Sequence, residues 1–144
     1  MRGTVHGVLS LAIVTTALAT GVTAMALASV TAAALYLVAA TVAVPVILYA
    51  YCAKCPVRLT GCRHGLPGPL TRWLPARQAG PYTAADFIGL VLPLALLFAA
   101  PQPYLWHRPL LMACFWGLTA AGLVEIRRYV CTGCRNLFCP LRKP

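Results

Sequence analysis

Four long apolar runs divide the chain, from about Val8 to Ala28, Thr31 to Tyr51, Ala84 to Ala100 and Pro109 to Ile126. A hydrocarbon core of about 30 Å is crossed by roughly 20 helical residues rising 1.5 Å each, within a range of about 17–25. All four runs meet that length, the third and fourth near its lower limit. None alternates apolar and polar residues with a period of two, which argues against a transmembrane β-barrel. The pattern therefore predicts an all-α integral membrane protein with four transmembrane helices, arranged as two helical hairpins.

Local signals mark the boundaries. Thr83–Asp86 reads "TAAD", a hydroxyl at the N-cap and a carboxylate at N3, the form of a capping box opening the third helix. Before it, four prolines between Pro67 and Pro81 argue for an irregular loop rather than a fifth helix. Ala17, Gly21, Ala24 and Ala28 give the first helix a small-residue face suited to close packing. Pro45 and Pro93 are expected to kink the second and third helices. Arg2, the first apolar run and the Ala26-x-Ala28 pattern also resemble a secretory signal peptide. The run of about 20 residues exceeds the roughly 7–15 of a signal core, which favours a retained helix. The expected organisation is a first transmembrane hairpin (1–51), a Cys/Pro/Arg-rich loop (52–83), a second hairpin (84–126) and a Cys-rich basic tail (127–144).

Composition agrees with the pattern. Of 144 residues 60% are hydrophobic and 10% charged, against about 45–50% and 25% in soluble domains. Twelve Lys and Arg face only one Asp and one Glu, for a net charge of +10. The placement of these cations points to the membrane surface, not to nucleic acid. Four spans with short connections put Arg2, the 52–83 loop and the 127–144 tail on one side. That side carries Arg2, Lys54, Arg58, Arg63, Arg72, Arg77, Arg127, Arg128, Arg135, Arg142 and Lys143, and the other carries Arg108 alone. Lys and Arg flanking spans stay on the cytoplasmic side. Both termini are thus expected to be cytoplasmic, in a cytoplasmic (inner) membrane whose anionic lipids face the basic segments. Tyr104 and Trp106 are expected at the outer interface, and Tyr49, Tyr51, Trp73, Tyr82 and Tyr129 at the inner one.

The chemistry lies in two cysteine triplets, each just after an apolar run. "YCAKCPVRLTGC" supplies Cys52, Cys55 and Cys62 with the spacing C-x2-C-x6-C. "YVCTGCRNLFC" supplies Cys131, Cys134 and Cys139 with the spacing C-x2-C-x4-C. The two halves read as a degenerate parallel repeat. A reducing cytosol disfavours disulfides. A C-x2-C pair brings two thiolates to one metal, and two such pairs complete an all-thiolate zinc site or hold an iron–sulfur cluster. Cys52, Cys55, Cys131 and Cys134 are the expected core ligands, their sulfurs converging to within a few Å, with Cys62, Cys139 and His64 as auxiliaries or a second site. The third cysteines and the steps Cys55–Pro56 and Cys139–Pro140 favour iron–sulfur over zinc, although neither triplet matches the ferredoxin spacing. Lys54, Arg58, Arg63, Arg128 and Arg135 are expected to lower the thiol pKa values. Thiol–disulfide exchange and acylation of juxtamembrane cysteines are competing uses.

The other polar groups carry less. His64 is a ligand candidate or a plain exposed loop histidine. His6 and His107 lie at opposite ends of the spans, which argues against a shared haem. Asp86 reads as a helix cap and Glu125 as the partner of Arg127 or Arg128, ahead of proton-relay roles. No nucleophile–base set, phosphate loop or dinucleotide motif occurs, so an enzyme acting by itself is not indicated. The expected function is a small membrane subunit or accessory protein binding a metal centre in electron transfer, with a membrane or redox partner protein. The alternatives are a zinc-stapled membrane scaffold and a soft-metal-ion transporter using Cys114, Met112 or Met25.

Overall fold

The structure, a computed structural model, describes residues 2–140. The expected cations Arg142 and Lys143 and the rest of the tail from residue 141 lie outside the described residues. Within them the chain forms α1 (Arg2–Ala26), α2 (Val30–Ile47), α3 (Pro67–Leu70), α4 (Ala84–Ala99), α5 (Gln102–Leu105) and α6 (Pro109–Glu125). Counting the turns that prolong them, four stretches are long and apolar enough to cross a membrane: Thr4–Ala26, Val30–Cys52, Ala84–Leu105 and Pro109–Gly133, of 22 to 25 residues each.

The helix starts follow from their sequences. Ser29, in an extended conformation, accepts a hydrogen bond from the Ala32 amide at 3.2 Å and caps α2. Both halves of the expected capping box open α4, where Asp86 Oδ2 accepts from the Thr83 amide at 2.8 Å. Pro109 takes the first position of α6, where its missing amide hydrogen costs nothing. The ends of α2 and α6 are less ordinary. Each widens into a five-residue π-helical turn, Leu48–Cys52 and Ile126–Val130. These turns close through bonds from the Ala53 amide to the Leu48 carbonyl, at 2.7 Å, and from the Cys131 amide to the Ile126 carbonyl. Such turns insert an extra residue and re-aim whatever follows.

Small residues decide how the helices pack. Ala17 and Ala24 are fully buried, and Gly21 lies against Pro101 and Phe115, while Ala28 is exposed. Gly122 of α6 meets Val14 of α1, and Gly89 of α4 meets Ala50 of the wide turn after α2. Backbones approach closely where side chains are absent, which suits helices that gain little from hydrophobic exclusion in lipid. α1 lies between α2 and α6, and α4 packs on α2, so the lateral order is α4, α2, α1, α6. This pairing differs from two self-contained hairpins. α1 and α2 do pair, but α4 and α6 are splayed, each pressed on the first hairpin, and meet through Phe98 edge-on to Phe115 at 5.6 Å.

Prolines leave carbonyls without their helical donors, and one such gap is filled across the bundle. Leu97 would bond the amide of residue 101, which is a proline. The Tyr36 hydroxyl donates to the Leu97 carbonyl instead, at 2.8 Å, inside a cluster of Met25, Ala33, Tyr36 and Leu97.

At the opposite end of the bundle the loop after α2 folds back over α1. Its Arg63–His64 backbone rests directly on Gly7, and Gly65, at φ +78°, turns the chain beside Thr4 and Val8. A methyl group at Gly7 collides with the backbone of Arg63 and His64. Gly7→Ala is therefore expected to lower stability by about 1–3 kcal/mol through overpacking, whereas Gly117→Ala, with open space around it, should raise it by up to about 1 kcal/mol. Thermal unfolding of the two variants in detergent checks this, and equal melting temperatures would contradict the packing.

A candidate metal centre lined by cysteines

The two wide turns deliver the two cysteine pairs to the same place. After α2 the chain makes a tight turn in which the Cys55 amide donates to the Cys52 carbonyl at 3.1 Å. After α6 the Cys134 amide donates to the Cys131 carbonyl at 3.3 Å. Cys62 arrives from the loop, held against Gly68, and Cys139 follows a turn in which its amide donates to the Asn136 carbonyl at 3.4 Å.

All six cysteines of the triplets, together with His64, line one cavity of about 120 Å³. Its walls also include Tyr51, Tyr82, Asn136, Arg58 and Arg63. The structure thus brings Cys52, Cys55, Cys62, His64, Cys131, Cys134 and Cys139 together around a shared space. Every cysteine is a free thiol. Among the described residues, no three His, Cys, Asp or Glu side chains gather around a single point tightly enough to hold a metal ion. Cys114 stands apart, exposed on α6, and Met25 is packed between α1, α2 and α4.

Polar walls fix the shape of this space. Tyr51 and Tyr82 stack at 4.4 Å, and the Tyr51 hydroxyl lies 3.2 Å from the Cys139 sulfur. Asn136, buried, donates from Nδ2 to the Tyr82 hydroxyl at 3.1 Å and accepts from the Phe138 amide at 3.0 Å. Tyr51 and Tyr82 were expected in an interfacial belt and instead turn inward as cavity walls. Only Tyr51 stands beside a cysteine in the sequence; the fold brings Tyr82 there, and the inward turn of both follows from the wide turn and from the Asn136 bond.

The cations do not act as expected on the thiols. Lys54 is engaged by Asp86, Arg58 donates to the Ala53 carbonyl, and Arg128 and Arg135 are exposed. Burial pushes the Cys55 thiol up. The Val57 amide opposes this, and the neighbouring Cys134, Cys62 and Cys139 raise it further. This corrects the expectation of lowered values for Cys55: desolvation outweighs cations whose charge is directed elsewhere. Cys134 and Cys139 count among its influences because the second triplet lies across the cavity. Burial also holds His64 below the usual imidazole range, which favours the neutral form that binds metals.

Arg63 joins the two cysteine segments. Its Nη2 donates to the Tyr129 carbonyl at 3.2 Å, and its guanidinium lies on Gly133, inside the second C-x2-C pair, where any side chain would collide with it.

Both carboxylates serve this end of the bundle. Asp86, only 2% exposed, binds Lys54 Nζ at 2.6 Å and Arg77 Nη1 at 2.8 Å while capping α4. Arg77 in turn donates to the Ala50 carbonyl at 3.1 Å and lies over Tyr49. Glu125 pairs with His6 at 2.5 Å, not with Arg127 or Arg128, and His6 stacks on Tyr129 at 4.5 Å. The wide turn after Glu125 swings both arginines outward, where they are exposed.

Fold and cavity together define a four-helix, multi-pass membrane protein with a thiol-lined chamber at one end of its bundle. No protein-family model, curated protein or solved structure matches this chain.

Asp86→Asn removes the charge that holds Lys54 and Arg77 and leaves both cations partly buried. A loss of about 3 kcal/mol is expected, in the range for breaking buried pairs. Unfolding in detergent measures it, and faster labelling of Cys52 and Cys55 by a maleimide should accompany it. Unchanged stability and labelling would show that Asp86 does not hold the loop.

Proposed function

We propose that this protein holds a metal centre, an iron–sulfur cluster rather than zinc, on the cytoplasmic face of the inner membrane, as a small subunit or accessory protein in membrane electron transfer. The observation that carries this reading is the shared cavity: two cysteine pairs 79 residues apart in the chain (Cys52 to Cys131) line it with two further cysteines and His64. Cys52, Cys55, Cys131 and Cys134 are the core ligands, with Cys62, Cys139 and His64 as auxiliaries or a second site.

The chemistry of the donor set supports the choice of metal. Zinc draws four ligands to about 2.0–2.3 Å from one point. Thiols distributed around a cavity suit a larger, polynuclear group whose sulfur ligands bind different irons. When bound, such a group supplies one-electron chemistry. The chain's own part is to hold it, to shield it with Tyr51 and Tyr82, and to set cations nearby. Zinc in the same cavity would act as a staple between loop and tail. Soft-metal transport finds less support, because Cys114 is exposed on α6 while Met25 belongs to a different packed cluster.

The orientation rests on charge. The start of α1, the cysteine loop and the end of α6 share one end of the bundle, which carries all the Lys and Arg except Arg108 among the described residues. The positive-inside rule makes this end cytoplasmic, with anionic lipids around it and a membrane or redox protein as its partner.

Iron, zinc and acid-labile sulfide are to be measured in anaerobically purified protein, with EPR before and after reduction. Iron with sulfide is expected, at about one centre per chain, and Cys52→Ser or Cys131→Ser should abolish it. Zinc without sulfide would transfer the site to the staple reading, and the absence of both metals would overturn the metal reading.

A further inference from the structure

The loop that supplies Cys62 and His64 also carries an unburied apolar edge. Trp73 is 87% exposed, Leu66 56% and Leu70 46%, with Arg72 among them. This edge belongs to a well-tied segment. The Thr71 side chain is buried and donates to the Gly68 carbonyl at 2.6 Å, and Gly68 itself packs against Arg58 and Cys62.

The height of the segment along the bundle is the informative feature. Thr71–Trp73 packs beside the wide turn Leu48–Cys52. The next residues, Leu74 and Pro75, share a surface hollow with Pro45 and Val46 of α2, Tyr49 of the wide turn, and Ala85 and Gly89 of α4, with the paired Arg77 and Asp86 at its edge. Pro45, Val46 and Tyr49 precede Cys52 by three to seven positions, about 5–10 Å of helix. The loop therefore does not stand away from the bundle; it runs back down its flank, alongside residues of the second span. Val42 and Val46 of α2 and Tyr49 of the wide turn, neighbouring outward positions, are themselves exposed. A bilayer that covers them reaches the level of Leu74 and Trp73.

We propose that Leu66–Leu74 is an interfacial anchor. Trp73, with Leu66 and Leu70, sits at the headgroup boundary of an anionic bilayer, and Arg72 pairs with lipid phosphate. A rigid, amphipathic indole suits this boundary, and a basic residue beside apolar ones is the composition of a segment lying in the interface. The charge complements it: this end of the bundle holds every Lys and Arg but Arg108 among the described residues. The consequence is positional. Through Gly68 and Cys62 the anchor fixes the depth of the cysteine cavity relative to the membrane. This inference stands on the spans and the loop, and is independent of what the cavity binds.

Full-length protein and its Trp73→Phe variant are reconstituted in vesicles of anionic phospholipid, some brominated near the headgroup and some deep in the chain. The fluorescence difference between the two proteins isolates Trp73. The expected result is strong quenching by shallow bromine, weaker quenching by deep bromine, and protection from aqueous acrylamide. Protection should fall in zwitterionic vesicles, and Arg72→Gln should remove that lipid dependence. Quenching by acrylamide without quenching by bromine would place Trp73 in water and overturn the proposal. Resistance to both would overturn it too, because Trp73 would then be covered by protein. Protection equal in both lipids would overturn the role of Arg72.

Discussion

One buried carboxylate organises the end of the bundle where the two cysteine segments meet. Asp86 caps α4, binds Lys54 between the first two cysteines, and binds Arg77 from the far side of the same loop. A carboxylate this buried is tolerable only when fully paired, so its three partners are drawn to one place. They belong to the wide turn's exit, the proline-rich loop and the start of the third span. With twelve cations and two acids in the chain, the position of each acid is a strong constraint. The second acid, Glu125, does the corresponding work on the other flank, tying the end of α6 to His6 near the start of α1.

Between these ties the two cysteine-bearing ends are built alike. α2 and α6 each pass into a five-residue wide turn, and each C-x2-C pair closes by the same amide-to-carbonyl bond. The likeness of the halves extends to these local devices but not to the packing of the helices, since α1 sits between α2 and α6 while α4 is on the outside. Arg63 crosses from the first cysteine segment to the second and lies on Gly133. The cavity is thereby lined from both segments by residues that are close in space and distant in the chain.

What the sequence made legible follows from how strongly each feature is specified locally. Span lengths are set by the bilayer, and the first two emerge within four residues of their apolar runs, while the last two start where expected and run on five and seven residues further. Thr83 and Asp86 specify a helix start from four residues, and the structure contains it. The small-residue face of α1 packs as read at Ala17, Gly21 and Ala24. Helix partners were not legible, because every span is apolar around most of its circumference and hydropathy does not distinguish a lipid-facing stripe from a helix-facing one. The partner of Glu125 was missed because the wide turn at Ile126–Val130 breaks the regular spacing that would pair it with Arg128. The thiol environment was misread because charges were counted along the chain, while Lys54 and Arg58 are engaged by Asp86 and a backbone carbonyl. The seven candidate residues stand out in the sequence as types and spacings, and their gathering around one cavity depends on Gly7, Gly68 and Arg63.

The central claim is that the cysteine cavity holds a thiolate-bound iron–sulfur cluster. Iron K-edge X-ray absorption of anaerobically prepared protein addresses it directly. The account predicts sulfur as the dominant first shell together with an iron neighbour to iron, the two features of a thiolate-held cluster. A first shell of nitrogen and oxygen, or iron without an iron neighbour, would contradict it.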